Sequence, residues 1–189
     1  MVILEKELLA ILKVAKAKSI RDWAMILAAY KHALRASETA SLTLDDLRGG
    51  CLDIRRKKGS LHTIQPLFPH KGEPLLDEVK ALRAWMKVRP NDGSNALFVS
   101  QKGGALSREQ VHRIFKAICE QAGIPKGKRH VHILKHSRAT HLVGSMDTAL
   151  LRQLLGHKNI QNTIVYAHTS DKQACRAAME AEMSAFRKS

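Results

Sequence analysis

His132-Ile-Leu-Lys-His-Ser-Arg-Ala-Thr-His-Leu142, then Leu154-Leu-Gly-His-Lys-Asn-Ile160 with Thr163 and Tyr166 beyond it, is the run whose reading decides the fold. Its pattern is helical: from His132 onward the chain reads as four helices, over about 132–143, 147–155, 159–166 and 171–186. A spacing of four residues puts His132 and His136 on one helix face. Working outward to the N-terminus, helical periodicity marks Leu4 to about Ala17, with Leu4, Leu8, Leu9, Leu12 and Ala15 sharing a face. It returns from Ser19 to Lys31, where Ser19 suits an N-cap and Asp22 the first turn. A short helix follows from Ser37 and ends before Asp45-Asp46.

Between these helices the period changes. Cys51-Leu-Asp-Ile-Arg and Leu61-His-Thr-Ile-Gln alternate apolar and polar residues around Lys58-Gly59-Ser60, which predicts a β-hairpin that Pro66 ends. Helix resumes over Leu75 to Val88, Pro90-Asn-Asp-Gly-Ser is a turn cluster, and Ala96-Leu-Phe-Val is a short strand or a packed loop. Ser107 and Gln110 have the spacing of a capping box ahead of Val111, Ile114, Phe115 and Ile118, and the basic segment Gly123 to His130 breaks the helix. No repeat, low-complexity tract or linker divides the chain. The expected fold class is mainly α with a small antiparallel β-sheet, in one domain over residues 1–189.

Charge narrows the function. The 189 residues carry 32 Lys and Arg against 17 Asp and Glu, a formal net charge of +15. That excess repels itself unless a polyanion neutralises it, which points to nucleic acid. No apolar run approaches the roughly 20 residues that span a bilayer. Met1 to Lys18 has early acids and no small-residue cleavage site, so it reads as an amphipathic helix and not a secretory signal. Cys51, Cys119 and Cys175 are scattered without a CxxC pairing, as expected of small buried thiols in a reduced cytoplasm.

Metal-free phosphoryl transfer in DNA needs a nucleophile, an acid for the leaving sugar oxygen, and cationic donors around the phosphorus. Candidates for each role are present, and each alone has a plainer reading. Arg35 and Glu38 could be a helical ion pair, Lys57 and Lys58 a solvated turn, and Tyr166 a core tyrosine. His130, His132, His136 and His141 suggest zinc, but no Cys pair or suitably spaced Glu completes a site, so no metal and no cofactor is expected.

Taken together, the motifs resemble the tyrosine recombinase (phage integrase) family. Arg35, Ser37, Glu38, Leu42 and Asp45 or Asp46 are similar to its first arginine box. His132 to Leu142 resembles its His-x-Leu-Arg-His-x-x-Ala-Thr-His-Leu run, and Leu155-Gly156-His157 followed by Tyr166 its Leu-Gly-His box and nucleophile. The resemblance extends from about residue 20 to 170 and implies the recombinase catalytic-domain fold. It further implies that Tyr166 attacks the scissile phosphate to form a 3′-phosphotyrosine and that Lys58, with Lys57 its rival, protonates the 5′-oxygen. Arg35 and Lys135 would clamp the nonbridging oxygens, His157 would add a donor, and His132 would assist proton transfer. Glu38 and His136 would support these side chains. At position 135 the chain departs from the pattern, because Lys stands where Arg is usual and the two-pronged guanidinium is lost.

The resemblance also implies double-stranded DNA as partner, a homotetramer on DNA, a monomer in its absence, no membrane, and a cytoplasmic location. The separate N-terminal core-binding (clamp) domain of such relatives is expected to be absent. A natural minimal recombinase, like the small fimbrial-switch invertases, and a fragment of a longer integrase both remain open. So do two other functions: a noncatalytic DNA-binding protein that keeps the fold, and a relaxing enzyme of topoisomerase type. The C-terminal stripe Ala174, Ala177, Ala178, Ala181 and Phe186 fits packing either on its own domain or on a neighbour.

Overall fold

The computed structural model describes residues 1–56 and 60–159. The two helices read after His157, and the residues Lys57, Lys58, Tyr166 and Cys175, lie outside that range. Seven α-helices and one sheet occur among the described residues: α1 (Glu5–Lys18), α2 (Ile20–Lys31), α3 (Ala36–Ala40), α4 (Glu78–Val88), α5 (Arg108–Gln121), α6 (His132–Leu142) and α7 (Thr148–Leu155). The sheet is antiparallel in the order β1 (Leu47–Arg48), β2 (Cys51–Ile54), β3 (Thr63–Pro66). The mainly helical domain with a small sheet is therefore as the sequence indicates.

Helix α2 is the spine. It is buried along nearly its whole length, from Trp23 to Tyr30, and packs against α1, α4 and α6. Apolar residues all round a helix are what a central position requires. The two tryptophans fix its neighbours: Trp23 Nε1–H donates to the Leu75 carbonyl at 2.9 Å, and Trp85 Nε1–H to the Leu97 carbonyl at 2.8 Å. On α1 the buried face is Leu8, Ile11, Leu12 and Ala15, and Ile3 is buried too, whereas Leu4 is exposed at the N-cap. The expected stripe is thus turned slightly, because Glu7 draws the Leu4 N–H into a capping hydrogen bond of 2.7 Å.

Several boundaries shift for local reasons. Ser19 is the N-cap of α2 but makes no side-chain cap bond. The helix expected from Leu75 splits into a 3-10 turn, Pro74–Leu76, and α4, whose Asp77 accepts the Lys80 N–H at 2.9 Å. Ser107 and Gln110 form the anticipated capping box on α5. Ala96 to Val99 is buried and makes only isolated bridges, Thr43 to Ala96 and Val99 to Ala105. The edge strand β1 was not anticipated; with two residues it has no alternation to detect.

Candidate active site

Helix α6 distributes its side chains over three neighbours, and that sorting builds the site. Ile133, Leu134, Ser137 and Ala139 are buried, and Ser137 Oγ accepts the Ile3 N–H at 2.8 Å. Arg138 and His141 face α2. The Arg138 guanidinium lies 5.5 Å from the Tyr30 ring and 5.2 Å from the Phe68 ring, and its Nε–H donates to the Lys31 carbonyl. His141 Nδ1 is 2.8 Å from the Tyr30 hydroxyl. The remaining face presents His132, Lys135 and His136. The His132 and His136 rings meet edge to face at 4.3 Å. With His141 turned to Tyr30, the four histidines do not converge, and no group of three metal-type ligands is found among the described residues.

Arg35 reaches the same region from the N-cap of α3. Its backbone N–H and its Nη1 both donate to Glu38, at 2.9 and 2.8 Å, and Nη1 also donates to Ser60 Oγ at 3.2 Å. The Arg35 side chain keeps 29 % exposure while the Glu38 side chain is 1 % exposed, so a partly exposed cation rests on a buried counter-charge. Burial alone would raise the Glu38 carboxyl. Hydrogen bonds from Arg35 and the charges of Arg56 and Arg35 outweigh it and hold the pKa below the ordinary value.

Lys135 is 2 % exposed, and its Nζ donates to the Leu155 carbonyl at 3.2 Å. Burial, then the charges of Arg56 and Arg35, push its pKa down to about 7. His157 stands just past α7, which Asp147 caps through the N–H groups of Ala149 and Leu150 and Gly156 ends with φ +67°. That left-handed turn is a glycine position, and it swings the next residue back across the helix end. His157 is buried. Burial and the charges of Lys135, Arg35, Arg56 and His136 push its pKa down to about 4. Burial and the charges of His136, Lys135 and Arg35 lower the pKa of His132 as well. Both imidazoles are therefore neutral at pH 7, able to donate one N–H and accept one proton.

Three distant segments thus bring His132, Lys135 and His157 within the electrostatic reach of Arg35, and both imidazoles within that of Lys135, with Glu38 against Arg35 and His136 against His132. Lys58 and Tyr166 lie outside the described residues. A family model described as the phage integrase family matches residues 1–173. The chain belongs to the phage integrase family. The type 1 fimbriae regulatory protein FimE of Escherichia coli is 36 % identical over 160 residues, covering 79 % of this chain and 75 % of FimE. Tyrosine recombinase XerC of Haemophilus ducreyi is 35 % identical over 153 residues, covering 79 % of this chain and 48 % of XerC.

Solved structures agree on the fold of this integrase-family chain. XerA recombinase superposes with a TM-score of 0.77 at 23 % identity, over 96 % of this chain and 65 % of XerA. A lambda integrase dimer bound to a COC′ core site gives 0.69 at 19 % identity, over 87 % of this chain and 47 % of that one. The chain therefore spans about half to two-thirds of these recombinase structures. Its fold is that of the tyrosine recombinase catalytic domain, and its family is one of site-specific recombinases. No helix among the described residues is long and apolar enough to cross a membrane.

One residue of this region escaped the sequence reading. The Arg56 side chain is completely buried, and its guanidinium donates to the carbonyls of Ala33, His32 and Leu154 at 3.2, 3.0 and 2.9 Å. Its Nη1 is also 3.5 Å from Glu38 Oε2. The signal was the strand alternation: Leu52 and Ile54 point inward, and a period of two carries Arg56 to the same face.

Proposed function

We propose that this chain is a site-specific DNA recombinase that breaks and rejoins double-stranded DNA through a 3′-phosphotyrosine on Tyr166. The observation that supports this most is the gathering of Arg35, Lys135, His132 and His157 from three separated segments over one buried carboxylate. Such a set of cations and neutral imidazoles matches a phosphodiester whose negative charge grows in the transition state.

In this reading Arg35 and Lys135 hold the nonbridging oxygens, and the neutral His157 donates an N–H to them. The Tyr166 oxygen attacks phosphorus as its proton passes to the neutral His132, which His136 orients edge-on. The bond from phosphorus to the 5′-oxygen breaks, and the Lys58 ammonium gives that oxygen a proton. The reverse sequence, with a 5′-hydroxyl as nucleophile, rejoins the strand. Glu38 does not react; it fixes the direction of Arg35. Strand exchange joins two duplexes, so the working form is a homotetramer on DNA assembled from monomers, in the cytoplasm. A lambda integrase tetramer bound to a Holliday junction is one of the similar solved structures.

The test is a nicked duplex, enriched from a randomised pool by binding to this protein, that traps the covalent intermediate by losing its free 5′-end. The wild-type chain forms a protein–DNA adduct, and Tyr166→Phe binds the duplex equally well without forming one. Tight binding with no adduct from the wild-type protein would refute the enzyme and leave a DNA-binding protein with the recombinase fold.

A further inference from the structure

The carbonyls that Arg56 holds are the final turns leading into two proposed phosphate-binding residues. His32 and Ala33 end the turn after α2, two residues before Arg35. Among the described residues Ala33 is the only non-glycine with positive φ, at +52°. An L-residue in that region is strained and needs its surroundings to hold it there. Arg56 grips the carbonyl of this residue and of the one before it. The same guanidinium grips Leu154, three residues before His157. It also stands beside Glu38, whose other oxygen binds the Arg35 guanidinium.

The contact with the α7 turn is tight. A Cβ on Gly156 would fall 2.5 Å from Arg56 Cδ, 2.6 Å from its Nε and 2.8 Å from the Leu61 carbonyl oxygen. The Leu61 N–H in turn donates to the Gly156 carbonyl at 2.9 Å. Arg56 Nε has no acceptor among the described residues, so the side chain is held by its two terminal nitrogens and by the absence of a side chain at Gly156. A group chosen only to fill space would be apolar here. Burying a cation beside Arg35 and Lys135 opposes folding unless its hydrogen bonds do something an apolar group cannot.

We propose that Arg56 is a positioning residue for DNA cleavage, whose buried guanidinium sets Arg35 and His157 at a fixed separation around the scissile phosphate. The Arg56 side chain is fully buried and its terminal nitrogens are engaged by protein carbonyls, so it acts through the two residues it aligns. The proposal rests on the reading of Arg35 and His157 as phosphate-binding groups. Misplacing such groups by an ångström costs on the order of a hundredfold in rate.

The experiment is single-turnover cleavage of the enriched nicked duplex by wild type, Arg56→Met, Arg56→Lys and Arg35→Ala, at saturating DNA. Each protein is assayed on a phosphodiester and on a methylphosphonate at the scissile position. The methyl group replaces a charged oxygen, so the reacting group needs less from its cationic clamp. Arg56→Met is expected to cleave the phosphodiester about 100-fold more slowly, with DNA affinity within about threefold, and Arg56→Lys to fall between. On the methylphosphonate the deficit of Arg56→Met shrinks at least tenfold, in parallel with that of Arg35→Ala. A variant that is merely loosened has the same deficit on both substrates, and that result would overturn the proposal. If Arg56→Met does not fold, Arg56→Lys is read by the same ratio. Wild-type rates from a folded Arg56→Met would overturn the positioning role alone. Failure of the wild-type protein to cleave either substrate would overturn the recombinase reading with it.

Discussion

Lys135→Met and Lys135→Arg separate two properties of one buried position, its charge and its ability to lose that charge. Lys135 is 2 % exposed and shares its surroundings with Arg35, Arg56 and Glu38. Burial and the two guanidinium charges bring its pKa from 10.5 to about 7. At about 1.4 kcal/mol per unit this is about 4–5 kcal/mol held against the ammonium form in the folded, DNA-free protein. The unfolded chain binds the proton below about pH 10.5 and the folded chain only below about 7. Between those values the unfolded state carries more protons, so the lysine's contribution to stability rises with pH and is least favourable at pH 7 and below. Methionine removes the titration but strands the Leu155 carbonyl, at a cost of about 1–3 kcal/mol. Lys135→Met is therefore expected to stabilise the free protein by about 1–4 kcal/mol at pH 7, a gain that shrinks by about 1.4 kcal/mol per unit as pH rises. Urea titrations at pH 7, 8 and 9, followed through the buried Trp23 and Trp85, measure this directly. In cleavage at subsaturating DNA the wild-type rate falls as pH rises above about 7, because the amine must take up a proton to hold phosphate. Lys135→Arg stays level from pH 7 to 9, since a guanidinium does not titrate there. A methionine variant less stable than wild type at pH 7, a difference flat with pH, or parallel falls in the two cleavage profiles would each refute this reasoning.

DNA affinity should drop steeply between 50 and 200 mM salt, by about 10³-fold or more if six or more phosphates are neutralised; a flat titration would remove the charge argument. Gly156→Ala should destabilise the chain by at least about 1–2 kcal/mol from its left-handed φ alone, and more from the contact with Arg56 and the Leu61 carbonyl. A shift under about 0.5 kcal/mol in urea would show that the turn adapts. Lys58→Ala should slow cleavage of an ordinary phosphodiester by at least about 100-fold and regain most of that loss on a 5′-bridging sulfur, which departs without a proton. An equal loss on both substrates would make Lys58 a contact residue and not the acid.

Legibility in the sequence followed local periodicity and stopped where a role depends on who comes to meet a residue. The four-residue spacing of His132 and His136, the Ser107–Gln110 capping box and the glycine after Leu155 each specify their own backbone. Those elements appear where they were read. The alternation through Leu52 and Ile54 predicted the hairpin but ran one residue further than it was followed, to Arg56. An arginine in an inward register is visible in the sequence; its acceptors on His32, Ala33 and Leu154 come from contacts spanning up to 98 positions. Lys135 was recognisable as a departure from the family pattern. That its amine is buried on the Leu155 carbonyl depends on packing between α6 and α7, which no single-segment pattern encodes.

The cations of this region are seated largely on the carboxyl ends of helices. The turns after α2 and at the end of α7 turn their last carbonyls toward Arg56 and Lys135, and among the described residues Glu38 is the carboxylate that pairs with Arg35 and Arg56. Peptide dipoles hold a cation in place without cancelling its charge, as a ring of carboxylates would. An arriving anion meets cations held mostly by carbonyls over one buried carboxylate, so much of the electrostatic attraction assembled here is kept in reserve for the polymer that binds. The same arrangement leaves the DNA-free chain under internal repulsion, with ligand as its natural relief.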